Sequence, residues 1–343
     1  ALSLSQPAQV KDTSMSTTAK KTVGVIGGSG YTGGELIRLL INHPEISIDF
    51  VYSTTRPGTY LTDTHNDLIG QTDLQFTDEI NSNVDVLFLC LGHGLSGTFL
   101  KENPMNDNTK IIDLSNEFRL QKDQHYLEKS YVYGLPEYQK QTIQSAQAVA
   151  NPGCFATAIQ LALLPLANEG LLQNDIQVHA ITGSTGAGVK PSATSHFSWR
   201  NNNVSWYKPF THQHLGEINE TLKALQSDAA NINFLPIRGN FTRGIFASAY
   251  TTFDGNIDDA YRIYEAYYAN HPFTHISKKE LSLKMVVNTN NCLIHLHKHN
   301  DLLLITSCLD NLLKGASGQA VENMNLMFSW PQTTGLQLKA NVH

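Results

Sequence analysis

The sequence predicts an α/β protein, in which a Rossmann-type dinucleotide-binding domain is joined to an α+β domain with a mixed or antiparallel sheet. Three observations carry that prediction. First, the β-branched run Thr22 to Ile26 passes through glycines into the helical pattern of Glu35 to Ile41, and Ile46 to Tyr52 then completes a βαβ unit. Second, apolar runs suited to buried strands recur at Val84 to Leu91 and Lys110 to Leu114, as in an open parallel sheet. Third, the texture changes beyond Pro152. A helix from about Phe155, a strand near Gln177 to Thr182 and a glycine-rich loop at Gly183 to Gly188 precede a hairpin of Leu293 to His299 and Leu302 to Leu309 around Asn300-Asp301.

Composition narrows the function. A chain of 343 residues with 41% apolar side chains buries a substantial core. The net charge of -6 is dispersed, with no basic block or basic aromatic-laced helix, which argues against nucleic acid or an anionic membrane as partner and for a small-molecule substrate. No run approaches the ~18 apolar residues of a membrane span, and the start lacks a cationic, apolar leader, so a cytoplasmic protein is expected. Residues 1–20, rich in Ser, Thr and Gln, read as a flexible extension. Three of the four cysteines, Cys90, Cys292 and Cys308, lie in apolar strand-like runs and read as packed thiols.

Gly27-Gly28-Ser29-Gly30-Tyr31-Thr32-Gly33 satisfies G-x-G-x-x-G between a strand and a helix, the context in which glycines let a pyrophosphate approach the backbone and the helix N-terminus attracts its charge. An NAD site places an acidic residue after the second strand to hold the ribose hydroxyl. Here the chain offers Ser53-Thr54-Thr55-Arg56, hydroxyls and a guanidinium suited to a 2′-phosphate, so NADP is the expected cofactor.

Asn151-Pro152-Gly153-Cys154-Phe155 sets Cys154 at the start of an apolar helix, where the helix dipole is expected to lower the thiol pKa. His212-Gln213-His214-Leu215-Gly216-Glu217 is the densest titratable cluster of the second domain. It opens a helix in which one imidazole serves as acid/base and Glu217 orients it. His295, His297 and His299 alternate on a strand without a further ligand and read as the wet face of the hairpin, so no metal is expected.

These segments resemble the N-acetyl-γ-glutamyl-phosphate reductases, relatives of aspartate-semialdehyde dehydrogenase. The resemblance runs from about Lys21 to Leu336 and also includes Gly92-His93-Gly94, Asp113-Leu114-Ser115, Phe118-Arg119, Tyr133-Gly134-Leu135-Pro136-Glu137 and the block from Asp310 to Ala320. It implies NADPH-dependent reduction of an N-acyl-γ-glutamyl phosphate through a thioester on Cys154, acid/base chemistry at His212 with His214 nearby, and a homodimer or homotetramer. It implies cofactor contacts at His93, Ser115, Gly186 and Gln319, and substrate contacts at Arg119, Glu137, Asn151 and Arg238. It further implies an NADP-binding domain over 21–152, a catalytic, substrate and oligomerisation domain over 153–314, and a segment 315–343 that returns to the first. Aspartate-semialdehyde dehydrogenase, or a silent NADP-binding regulator of this fold, are the alternatives.

Departures from the family pattern fall near the substrate: Gln213 replaces an arginine, and Asn240-Phe241-Thr242-Arg243-Gly244 extends the stretch after Arg238-Gly239. With Arg243 close behind Arg238, an acyl group larger or more anionic than acetyl, such as N-succinyl, is expected to fit.

Overall fold

A computed structural model describes residues 19–343; the extension read from the sequence lies, over 1–18, outside the described residues. The first sheet has eight strands: β1 Lys21–Ile26, β2 Ile46–Tyr52, β3 Phe76–Thr77, β4 Val86–Leu89, β5 Lys110–Asp113, β6 His125–Tyr126, β7 Lys129–Tyr133 and β8 Ala148–Ala150. Their order is β3-β2-β1-β4-β5-β8-β7-β6, parallel except for the β6–β7 pair. Chain order reverses between β1 and β4, so a crevice opens above their carboxyl ends, the place where such sheets take ligands.

The second sheet has seven strands: β9 Ile176–Thr182, β10 Ser205–Trp206, β11 Ile232–Arg238, β12 Ile245–Thr252, β13 Thr274–Ser277, β14 Cys292–His299 and β15 Leu302–Leu309. Its order, β10-β11-β9-β12-β15-β14-β13, is mixed, with β9–β11 and β13–β14 parallel and the other pairs antiparallel. The hairpin turn falls at Asn300, whose φ of 51° is a conformation asparagine tolerates.

The helix Cys154–Asn168 joins the two halves. Every residue from Phe155 to Ala167 is buried, and such an all-round apolar helix is stable only as a core element; here it packs among Val178, Ala247, Ile305 and the helix bearing Ile218 and Leu222. The last helix, Gly318–Met327, packs back on the first sheet, where Ala320, Val321, Met324 and Leu326 join Leu36, Leu40 and Val149 in one core cluster. Among the described residues no helix is long and apolar enough to cross a membrane, and no three His, Cys, Asp or Glu side chains are grouped to hold a metal ion. His297 and His299 lie on the exposed side of the hairpin, and His295 is tied to Tyr261 and the Ser277 carbonyl.

Candidate active site

A cleft of about 630 Å³ lies over the carboxyl ends of the first sheet and is closed by loops of the second. Gly30, Tyr31 and Thr32 follow β1, His93 follows β4, Arg119 follows β5, and Asn151 and Cys154 follow β8; Gly186, His212, His214 and Arg238 face them. The residues after β1, β4, β5 and β8, far apart in the chain, thus meet because each follows a strand pointing at the same edge.

The nucleophile turn is tightly determined. Gly153 is the N-cap of the Cys154 helix, and a side chain there would meet the His214 ring at 2.4 Å, so only glycine lets the imidazole lie against the turn. Gly153 N–H donates to Glu217 Oε2 at 3.1 Å, and Arg119 Nε donates to the Asn151 carbonyl at 2.9 Å. Asn151 Nδ2 donates to the Ala316 carbonyl at 2.9 Å, tying the turn to a π-helical segment, Leu313–Ser317. Gly315 of that segment backs onto Cys154 so closely that a Cβ there would stand 2.9 Å from the cysteine's own.

Glu217 departs from its expected role. It takes hydrogen bonds from Arg119 Nη1 at 3.1 Å, from the Tyr133 hydroxyl and from Gly153 N–H, but none from a histidine. It orients the nucleophile turn and an arginine. Tyr133, which receives a further bond from Gln160 at 2.8 Å, carries no signal in the sequence beyond its place in the Tyr133-to-Glu137 block.

Electrostatics also depart from expectation at Cys154. Its side chain is half-buried, and burial pushes the thiol above its ordinary pKa even though the Phe155 N–H at the helix start, Arg119 and Arg238 pull it down. Desolvation therefore outweighs the Phe155 N–H and the two guanidinium charges. Both imidazoles are held neutral: burial, with Lys208 and Arg238 adding, lowers His212 to about 4, and burial with Arg119 lowers His214 well below its usual value. His212 Nδ1 accepts the His214 backbone N–H at 3.2 Å, which places the ring proton of the neutral imidazole on Nε2 as a donor. His214 Nδ1 is buried without a partner.

The glycine loop fits an anionic dinucleotide. The first intrahelical bond runs from Gly34 N–H to Gly30 O at 2.9 Å, leaving the N–H groups of the first turn without intrahelical partners. A side chain at Gly30 would meet nothing within 4 Å, so the loop presents open space there. Gly27, Gly28, Ser29 and Gly33 form the base of the turn, which His65 braces by bonding the Gly28 carbonyl at 2.7 Å, a contact no local pattern signals. At the end of β2, Ser53 is buried while Thr55 and Arg56 are exposed, and no carboxylate stands among 52–56.

Several expected site residues face elsewhere. Ser115 turns inward and donates to Asp113 Oδ2 at 2.7 Å. Gln319 is fully buried beneath the nucleophile helix, donating to Thr157 Oγ1 at 3.0 Å. Glu137 is buried against Lys314 at 2.7 Å, and Lys314 also reaches Glu322 at 2.8 Å; this triad anchors the π-helical segment and leaves Glu137 no face toward a substrate. Arg243 is held by Glu35 at 2.8 Å and Asp310 at 3.1 Å, outside the cleft lining, because two carboxylates on opposite sides of the domain junction saturate its guanidinium. Arg238, by contrast, lies in the cleft, stacked at 4.7 Å over the Tyr207 ring with one bond to the Gly183 carbonyl at 2.9 Å.

Comparison with known proteins matches this arrangement. Residues 22–146 match the semialdehyde dehydrogenase NAD-binding domain, and residues 154–311 match the semialdehyde dehydrogenase dimerisation domain. Among solved structures, aspartate semialdehyde dehydrogenase II of Vibrio cholerae, complexed with ASA, superposes with a TM-score of 0.70 at 15% identity, covering 91% of this chain and 99% of its own. The aspartate semialdehyde dehydrogenase of Candida albicans with NADP gives 0.65 at 12%, covering 90% and 99%. These share the fold. N-acetyl-gamma-glutamyl-phosphate reductase of Flavobacterium johnsoniae is 58% identical over 318 residues, 92% of this chain and 98% of the relative. That of Christiangramia forsetii is 56% identical over the same shares. With identity of that level over 92% of its length, the chain belongs to the N-acetyl-gamma-glutamyl-phosphate reductase family.

Proposed function

We propose that the chain reduces an N-acyl-γ-glutamyl phosphate to the N-acyl-glutamate semialdehyde with NADPH, through a thioester on Cys154. The observation that carries this reading is the placement of Cys154 on the cleft floor, between a dinucleotide-type glycine loop, two arginines and two neutral imidazoles. As Cys154 Sγ attacks the acyl-phosphate carbon, a neutral imidazole accepts the thiol proton. The S–C bond forms, the acyl C–O bond to phosphate breaks, and inorganic phosphate leaves. When bound, NADPH supplies the hydride that reduces the thioester. His212 Nε2–H donates a hydrogen bond to the oxyanion formed there; its collapse re-forms the carbonyl, breaks the S–C bond and releases the aldehyde, and the departing thiolate takes back its proton from the imidazolium.

Arg238 is the anion anchor with donors to spare, and Arg119 acts on the nucleophile turn. The relatives' name supports acetyl as the acyl group, and Arg243, engaged by Glu35 and Asp310, is not free to pair with a succinyl carboxylate. Steady-state turnover with N-acetyl- and N-succinyl-γ-glutamyl phosphate and with aspartyl phosphate tests the reading; a preference for aspartyl phosphate would make the enzyme an aspartate-semialdehyde dehydrogenase, and no turnover at all would favour a silent regulator. The matched dimerisation domain supports a homodimer or homotetramer.

His212→Ala lowers kcat by on the order of 10² or more and costs more than His214→Ala. Because His212 stays neutral down to about 4, no loss of activity should track imidazole protonation near neutrality, and the reverse ranking of the two variants would exchange their roles. For the cofactor, kcat/KM favours NADPH over NADH and Arg56→Ala erodes the preference; equal values in the wild type would contradict the 2′-phosphate reading.

A further inference from the structure

We infer that Arg243, which no part of the reaction uses directly, is a positioning residue that locks the cofactor helix to the loops closing the cleft. The inference rests on the reading of the glycine loop as an NADPH site. Arg243 Nη1 and Nη2 donate to Glu35 Oε1 and Oε2 at 2.8 and 3.1 Å, while Nε and Nη2 donate to Asp310 Oδ2 and Oδ1 at 3.1 and 3.3 Å. One guanidinium thus makes two forked ion pairs, a geometry lysine cannot reproduce.

Each partner governs a wall of the cleft. Glu35 sits on the helix Tyr31–Ile41, directly after the glycine loop. Asp310, fully buried, also accepts the N–H groups of Leu312 at 2.9 Å and Asn288 at 2.7 Å, so it sets the turn that leads to Gly315 behind Cys154. Arg243's own neighbours hold the third wall: the Thr242 carbonyl takes bonds from Thr185 N–H at 3.1 Å and Thr185 Oγ1 at 2.7 Å, and the Phe241 carbonyl takes Ser184 N–H at 2.8 Å. The residues that extend the chain after Gly239 therefore brace the 183–188 loop from behind. Without the guanidinium, Glu35 would keep only Arg38 Nη1 at 3.3 Å and Asp310 only backbone N–H groups, and the two carboxylates would face each other across the junction with no cation between them. Separating the two domains relieves that repulsion, and the helix N-terminus that attracts pyrophosphate then moves away from the nucleophile.

The test is the dissociation constant of NADPH, read by nicotinamide fluorescence, for wild type, Arg243→Met, Arg243→Lys, Glu35→Gln and the Arg243→Met/Glu35→Gln pair. Each of Arg243→Met and Glu35→Gln should weaken binding by the order of tenfold. The double variant should bind no worse than the weaker single one, since both break one link, and Arg243→Lys should recover only part. Glu35→Gln keeps the side chain's shape and serves should Arg243→Met fold poorly. A fall in melting temperature with NADPH affinity unchanged, or full additivity of the two changes, would make the link merely structural and overturn the inference. A wild type that binds no NADPH would overturn the functional reading as well, which separates the two failures.

Discussion

Cys154→Ser is expected to lower reductase turnover by on the order of 10³ or more while leaving NADPH affinity intact. The serine oxygen fits the site, because the change is nearly isosteric and the Asn151-to-Cys154 turn is held by the Gly153 N–H donating to Glu217 and the Asn151 carbonyl accepting from Arg119, neither of which involves the thiol. What is lost is the nucleophile. A hydroxyl is far harder to deprotonate than a thiol, and the neutral imidazoles beside it are weak bases here, His212 being held down to about 4. The same environment bears on the wild type. Burial holds the Cys154 thiol above its ordinary range, so its alkylation by iodoacetamide should still be rising at pH values where an exposed thiol has reached its plateau. Turnover of Cys154→Ser above about a tenth of wild type would exclude a covalent thioester. An alkylation midpoint below that of an exposed thiol would restore the helix dipole as the dominant influence.

The contrast between dipole and desolvation illustrates what the sequence carries. Strands β1, β2 and β8, the glycine loop, and the start of the helix at Cys154 are all set by patterns within a few residues, and each lies where the periodicity and the Gly and Pro residues place it. Residues that follow neighbouring strands at one sheet edge share a cleft, so His93, Asn151 and Cys154 meet as their order implies, while His212 and His214 reach it from the start of the helix His214–Leu225. Partnerships between distant residues are another matter. Glu217 finds Arg119 across 98 residues, and Arg243 finds Glu35 across 208. No local period encodes such pairs. His214 and Glu217 share one helix flank, but their proximity in sequence suggested a contact that Arg119, Tyr133 and the Gly153 N–H take instead. Arg243 and Glu137 carried charge near a motif, and charge alone does not distinguish a residue that meets a ligand from one neutralised inside the fold.

The Arg119–Glu217 pair should therefore be costly to break on two counts. Both side chains are almost fully buried, at 5% and 3% exposure, and Arg119 spends three donors, on Glu217 at 3.1 Å, on the Asn151 carbonyl at 2.9 Å and on the Leu114 carbonyl at 3.1 Å. Arg119→Met leaves Glu217 as an uncompensated buried carboxylate, a change that typically costs ~3–5 kcal/mol. It also frees the carbonyl that fixes the nucleophile turn and removes a positive charge that pulls the Cys154 thiol down, so turnover should fall by on the order of 10² as well. The two effects separate in a double variant. With Arg119→Met and Glu217→Gln together, an amide oxygen in the place of Oε2 still accepts from the Gly153 N–H and the Tyr133 hydroxyl, so no buried charge is stranded. Urea denaturation should then show a coupling of ~0.5–3 kcal/mol, the double variant being more stable than the single changes predict by addition. Activity should stay low, because the bond to the Asn151 carbonyl and the charge near the thiol are still missing. An Arg119→Met protein as stable as wild type would remove the buried pair from the account of stability, and a double variant with restored turnover would show that Arg119 acts on the scaffold alone.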